Sequence, residues 1–298
     1  MSDFQQVLAQ STKAISKIVS NRPHHWVGDG FYVQGMLDYN NLGRQLNPFI
    51  MMDYAAPKHF DPHYKQRGVG FHPHRGFETV TFAYEGEVSH RDSTGRSGTI
   101  KTGDVQWMTA GAGIQHEEMH SKEFTSKGGD FEMIQLWVNL PKAKKNVPAT
   151  YQSITRESIP DVSLPTGGNL RVVAGEYQGA KGPANTHTPM NVYDISLKPN
   201  ESVNIDLPDG WNTGILVRKN TVKVNDREIK PASLVAFDRT GTSVQLTAGA
   251  NGSEMLLFSG EPIDEPMVGY GPFVMNTPEE ISTAFIDYQE GKYGGPPM

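Results

Sequence analysis

The chain contains no cysteine. Disulfides, thiolate zinc sites and cysteine-ligated iron–sulfur clusters are thereby excluded. Any metal must be held by histidine, carboxylate or carbonyl groups, and the absence is compatible with the cytosol. Positive charge is in deficit: 27 Lys and Arg against 33 Asp and Glu leave a formal net charge of −6 and a pI of about 5.9. A direct grip on a nucleic-acid backbone needs a basic footprint, so none is expected, although contact with DNA through another protein stays open. No apolar run is long enough to span a bilayer, and no charged-then-apolar leader pattern is visible. A soluble, cytoplasmic protein with no membrane partner is expected. Helical periodicity is scarce too, whereas 31 Gly and 20 Pro are plentiful, which favours a β-rich fold with many turns. The 298 residues leave room for two ordinary domains and a core that needs no staples.

Residues 1–20 carry a weak pattern. Phe4, Val7, Leu8, Ile15 and Ile18 either line one side of a helix or belong to a loosely held terminus. From 26 to 140 short apolar stretches alternate with turn residues. Val80, Phe82 and Tyr84 fall on one face of a strand, with Thr79 and Thr81 on the other. Ser93-Thr94-Gly95 and Thr102-Gly103-Asp104 read as turns. Val105, Trp107 and Thr109 alternate again, and 131–140 is a further strand stopped by Pro141. Residues 141–168 have little pattern and read as the connection between halves. Strand text resumes over 170–174, 192–197, 214–217, 221–224, 234–237 and 254–258, which suggests a barrel or sandwich. Thr277-Pro278-Glu279-Glu280 starts a helix, with a cap, a proline at the first position and a capping box. Ile281, Ala284, Phe285 and Tyr288 then recur at helical spacing, so this short helix should pack on the barrel, with 291–298 a frayed tail.

Two segments carry chemistry. In Phe71-His72-Pro73-His74 the two histidines are two residues apart, which aims both imidazoles from one face of a strand. His116 and Glu118, after the glycine turn Gly111-Ala112-Gly113, stand in the same relation. Two such strands brought face to face make a cage of three nitrogens and one oxygen. A single His-x-His is often only a surface or hydrogen-bonded pair; the second pair, several strands later, strengthens the metal reading.

The blocks HPHRGFETVTF, GDVQWMTAGAGIQHEEMH, QLWVNLP, GEPIDEP and GPFVMNTPEEIS, in that order over about residues 26 to 290, resemble the pirin family of bicupins. The resemblance implies an all-β fold of two cupin-type (jelly-roll) β-barrels with a short C-terminal helix. The expected organisation is an N-terminal extension (1–25), a metal-binding barrel (26–145), a barrel without metal that shields the first site (146–290) and a tail (291–298). It also implies His72, His74, His116 and Glu118 as ligands of Fe(II), with Mn, Co, Ni, Cu or Zn as other divalent occupants. Glu78 is a rival, since it fits the general cupin spacing His-x-His-x3-Glu and shares strand parity with His74 if Gly76 does not break the strand. The pirin pattern favours Glu118 and leaves Glu78 a structural or hydrogen-bonding role.

Three imidazoles and a carboxylate leave up to two positions of an octahedron open, as a site for chemistry requires. By resemblance the leading expectation is quercetin 2,3-dioxygenase activity: oxygen-dependent cleavage of a small aromatic, flavonol-like substrate, with Glu118 as catalytic base. Phe71, Phe77, Trp107, Met108 and Ile114 are candidates to line a pocket for a flat aromatic ligand, but for most of them plain barrel core is the preferred expectation. The alternative is an iron- and redox-sensing regulator that binds a transcription factor or a metabolic enzyme. His90 and Asp92 read as a surface or turn-bracing pair. His24, His25, His59, His63, His120 and His187 read as loop or surface histidines, with His63 a candidate for the pocket rim.

Overall fold

A computed structural model describes residues 11–296. The first part of the chain forms β1 (Ile15–Val19), β2 (His24–Val27), β3 (Phe31–Leu37), β4 (Phe49–Phe60), β5 (Gly68–His74), β6 (Phe77–Glu85), β7 (Val88–Asp92), β8 (Ser97–Ile100), β9 (Val105–Thr109), β10 (Ile114–His120), β11 (Gly129–Asn139) and β12 (Thr150–Ile154). Helices α1 (Leu42–Leu46) and α2 (Lys122–Lys127), which the sequence reading did not anticipate, lie between them. The remainder forms β13 (Asp161–Ser163), β14 (Asn169–Ala174), β15 (Glu176–Tyr177), β16 (Ala180–Lys181), β17 (Met190–Leu197), β18 (Ser202–Asp206), β19 (Asn212–Lys219), β20 (Val222–Val224), β21 (Arg227–Ile229), β22 (Ser233–Phe237), β23 (Ser243–Ala248), β24 (Ser253–Gly260), β25 (Val268–Tyr270), β26 (Phe273–Met275) and α3 (Pro278–Gln289).

Each half closes a seven-stranded sheet over a four-stranded one. The first barrel has the orders β12-β9-β6-β11-β4-β3-β2 and β5-β10-β7-β8; the second has β1-β22-β19-β24-β17-β14-β13 and β18-β23-β20-β21. The fold is therefore all-β, two cupin-type barrels and a short C-terminal helix. The two large sheets pack back to back. Val80, Phe82, Trp107 and Leu136 from one share a cluster with Val192, Leu216, Leu256 and Phe258 from the other. This is why β6 is buried on both faces from Phe77 to Ala83. Each buried Val, Leu or Phe in this layer contributes about 1.5–3 kcal/mol by leaving water. The second barrel is filled with apolar side chains such as Val172, Ile215, Val217, Leu246 and Leu257. In the first, Phe31, Phe60, Val88, Phe131 and Met133 form a separate apolar cluster, and His74, His90, His116 and His120 are buried in the same barrel.

The termini cross over. Strand β1 pairs antiparallel with β22, and Ile15 and Ile18 pack against the second barrel's core. The segment expected as a helix or loose extension is thus an edge strand; Phe4, Val7 and Leu8 lie outside the described residues. Strand β12 pairs with β9, which carries the first barrel past the expected boundary at residue 145. The end of the chain returns to the first barrel: Arg75 bridges to Phe273, and Lys145 Nζ donates to the Val274 carbonyl at 2.8 Å. Helix α3 has the expected capping box between Thr277 and Glu280, with proline at its start. Of the tail expected to fray, residues 297–298 lie outside the described residues, and the part before them is anchored. Tyr293 is buried with Phe273, Met275 and Ala284, and its hydroxyl donates to the Ala284 carbonyl at 2.8 Å. Gly113 makes room for it: with φ at +129°, a Cβ there would lie 2.2 Å from the Tyr293 ring. No helix among the described residues is long and apolar enough to cross a membrane.

Candidate metal centre

Strands β5 and β10 are hydrogen-bonded neighbours in the four-stranded sheet, and His116 stands opposite His72. The register shifts between His116 and Glu118, an irregularity of the kind that re-aims side chains beside functional sites. His72, His74 and His116 offer ligand atoms that all lie within 4.8 Å of one another. Their ring centroids are 4.4 Å (His72–His116), 4.7 Å (His72–His74) and 4.9 Å (His74–His116) apart. The Nδ1–H of His72 donates to the Gly70 carbonyl at 2.8 Å, which leaves Nε2 as its lone pair. His74 Nδ1 and His116 Nε2 are buried without a hydrogen-bond partner. Burial first, and then the neighbouring histidines, hold both rings well below the usual imidazole range. Neutral imidazole is the form that ligates a metal. Orphaned buried nitrogens are costly, and here they gather where one divalent ion would satisfy them. The residues fit a metal.

Glu118 stands apart from that trio. Its Oε1 accepts from Thr81 Oγ1 at 3.1 Å and Gln106 Nε2 at 2.8 Å, and its Oε2 from Gln135 Nε2 at 2.7 Å. Two donors use up Oε1, whereas Oε2 keeps a lone pair. Glu118 lines the same cavity as His72 and His74.

Glu78 is no rival to it. Gly76 has φ at +87° and ends the run: β5 stops at His74 and β6 starts at Phe77. A Cβ on Gly76 would meet the Val274 carbonyl oxygen at 2.0 Å, so only glycine fits the break. Thr81, at odd parity, reaches Glu118, which leaves Glu78 on the opposite face. There Thr109 Oγ1 donates to its Oε1 at 2.7 Å and His187 Nε2 lies 3.9 Å away. Burial raises its carboxyl to about 7, against the opposing hydrogen bond from Thr109.

The cavity beside the histidines has a volume of about 160 Å³, and Val33, Met51, Asp53, Met133, Gln135 and Trp137 line much of it. Asp53 lies opposite Gln135 in the β4–β11 ladder. Among the described residues it has no hydrogen-bond partner, and burial pushes its carboxyl up to about 6, against the pull of His25 and with a push from Asp38. The missing side chain of Gly35 leaves space beside it: a Cβ there would lie 3.6 Å from Asp53 Oδ1. The sequence did carry a signal, an acid inside the apolar run of β4.

Residues 30–138 match the Pirin family, and 192–294 match the Pirin C-terminal cupin domain. The chain belongs to the pirin family. It is 38% identical to human Pirin, with 84% of each chain covered. It is 49% identical to the Pseudomonas aeruginosa protein named "Putative quercetin 2,3-dioxygenase PA2418", covering 94% of this chain and 98% of that one. A solved structure of quercetin 2,3-dioxygenase from Acinetobacter baumannii superposes with a TM-score of 0.93 at 49% identity, covering 96% of this chain and 99% of the other.

None of the five residues offered for the pocket reaches the cavity in this pirin, and most of them are core, as expected. Phe71 lies under the Arg91 guanidinium, Phe77 stacks on Trp137 at 4.2 Å, Trp107 belongs to the core between the barrels, and Met108 and Ile114 cluster with Ala110. His120 is buried rather than at the surface: its ring bonds to the Gly30 carbonyl at 2.9 Å, and burial lowers it to about 4. His63 lines a separate crevice with Phe60 and Arg67 instead of the site's rim. His90 and Asp92 are fully buried on the inward face of β7 rather than at the surface, and Asp92 braces the turn by accepting from Thr94 N and Arg96 N.

Proposed function

We propose that this chain is an oxidoreductase that cleaves a flavonol of the quercetin type with dioxygen, at an iron site held by His72, His74, His116 and Glu118. The observation that carries this reading is the convergence of three imidazoles, His74 and His116 buried and His72 partly so, with His72 and His74 on the wall of a largely apolar cavity. The kinship with proteins named quercetin 2,3-dioxygenase supports the substrate class. Iron, when bound, supplies Lewis acidity and redox chemistry toward dioxygen; other divalent ions suit the same donors.

The chain's own residues supply the rest. Glu118 Oε2 has a single free lone pair, which would ligate the ion or, loosened from it, accept the proton of the flavonol 3-hydroxyl. Thr81, Gln106 and Gln135 hold that carboxylate in place. Val33, Met133 and Trp137 offer apolar walls to a flat ring and exclude water. At 160 Å³ the cavity is below the roughly 300 Å³ at which a drug-sized molecule is enclosed. It therefore admits the reacting edge of a flavonol while the remainder stays at the mouth, within reach of Asp53.

The test is aerobic incubation of the iron-loaded protein with quercetin, following the flavonol absorbance band and released carbon monoxide. Decay that exceeds a His72→Ala, His116→Ala double variant supports the reading. Decay no faster than in that variant removes it.

A further inference from the structure

Behind His116 lies a buried chain of polar groups. His116 Nδ1 is 3.3 Å from His90 Nδ1, and His90 Nε2 is 3.1 Å from Asp92 Oδ2. The His90 and Asp92 side chains are 0% and 1% exposed. The His90 ring stacks on Tyr151 with centroids 4.6 Å apart and planes 19° from parallel. The Tyr151 hydroxyl donates to Gln106 Oε1 at 3.3 Å, and Gln106 Nε2 donates to Glu118. One network thus supports His116 directly and Glu118 through Tyr151 and Gln106.

The hydrogen bonds in it have a forced direction. Asp92 Oδ1 accepts from Thr94 N at 2.8 Å, Thr94 Oγ1 at 2.6 Å and Arg96 N at 3.3 Å. The carboxylate is therefore pinned, with Oδ2 facing His90 as an acceptor only. His90 must donate from Nε2. A singly protonated His90 then presents a lone pair at Nδ1, so His116 must donate from its own Nδ1. The second nitrogen of His116, the orphaned Nε2, is left unprotonated.

We propose that Asp92 and His90 are positioning residues that lock His116 in the one tautomer able to bind a metal through Nε2. The proposal rests on the reading of His72, His74 and His116 as metal ligands. It explains why two polar residues outside the cavity beside His72 and His74 are buried in the barrel. A partner that fixes the tautomer of a ligating histidine is worth about 10–100-fold in metal affinity.

The substitution Asp92→Asn separates this role from a merely structural one. An amide oxygen still serves Thr94 and Arg96, so the turn is kept and the amide nitrogen is turned toward His90. A donor now faces His90 where an acceptor stood. Both histidines are driven to the opposite tautomers, as happens to the imidazole when the aspartate of a serine-protease triad becomes asparagine.

The experiment uses the full chain, metal-free and labelled with ¹⁵N-histidine. Long-range proton–nitrogen spectra assign the proton on each ring, and Co(II) titration then reads affinity. The expected wild-type result is His116 protonated at Nδ1 and bare at Nε2. Asp92→Asn should reverse this and weaken Co(II) about 10–100-fold. His90→Phe keeps an aromatic ring against Tyr151 and should weaken Co(II) similarly. A wild-type His116 protonated at Nε2 overturns the proposal, and that spectrum needs no variant to fold. Co(II) affinity within twofold of wild type in Asp92→Asn also overturns it. Absence of Co(II) binding by the wild type sinks the metal reading instead, and the spectra still judge the lock.

Discussion

His116 faces His72 directly across the β5–β10 ladder, with ring centroids 4.4 Å apart. This pairing, rather than the sequence spacing within either strand, joins the two histidine-bearing segments into one site. Removing either ring leaves two donors where three converged. His116→Ala and His72→Ala should each lower Co(II) or Fe(II) affinity by more than about 100-fold, beyond the loss of an outer partner. Equilibrium dialysis of the two variants checks this; retention of wild-type affinity in either would mean that its ring is not a ligand.

Glu118 should separate binding from chemistry. Glu118→Gln keeps the shape but removes a base, so kcat on quercetin should fall about 10²–10⁴-fold with a smaller loss of metal affinity. Equal losses in steady-state kinetics and metal titration would make Glu118 a ligand without a role as base.

Asp53 should respond to pH. Its carboxyl is raised from the usual aspartate range to about 6, so it becomes a charged acceptor for a substrate hydroxyl as pH rises through that value. Flavonol affinity should strengthen across this window, and Asp53→Asn should flatten the step. A charged hydrogen bond of about 1.5–3 kcal/mol corresponds to a loss of about 10- to 150-fold. Fluorescence titration at several pH values reads the outcome. A step of equal size in the variant would assign it to another group.

Glu78 makes stability fall with rising pH. Its carboxyl moves from 4.5 to about 7 on burial. The contribution is whole below 4.5, where both states are protonated. It is lost as pH rises toward and through 7, because the unfolded chain releases this proton more readily. At 1.36 kcal/mol per unit, the full effect is about 3 kcal/mol. Glu78→Gln should reduce the fall in unfolding free energy between pH 4 and pH 8 by that order. Asp53 acts with the same sign, so some slope should survive. Denaturant melts at the two pH values measure it.

Arg218 ties the barrels together. Its guanidinium pairs with Glu132 at 2.5 Å and Glu254 at 2.7 Å, and it stacks over the Tyr84 ring at 3.2 Å. Glu132 is fully buried, with Lys219 only at 3.9 Å. Arg218→Met should cost about 3–5 kcal/mol, mainly by leaving that carboxylate with the Tyr54 hydroxyl but without its charged partner. Thermal and denaturant unfolding provide the measurement; a change below 1 kcal/mol would show that Lys219 or water takes over.

Strand alternation was legible wherever one face is core. Val80, Phe82 and Tyr84 share a face as their spacing requires, and the box from Thr277 to Glu280 caps α3 because capping is a local bond. The sequence alone also determined that no thiolate could hold a metal. It placed His72 with His74, and His116 with Glu118, two residues apart in strands. Pairing between distant strands is not written in local spacing. Only the tertiary structure decided that β1 joins the second barrel, that Tyr293 seats beside Gly113, and that Gly76 turns Glu78 away from the histidines. It likewise decided that Asp53 faces the cavity and that His90 and Asp92 stand buried behind His116. Burial and hydrogen-bond direction depend on what the fold brings alongside a side chain, and for these residues the neighbours come from elsewhere in the chain.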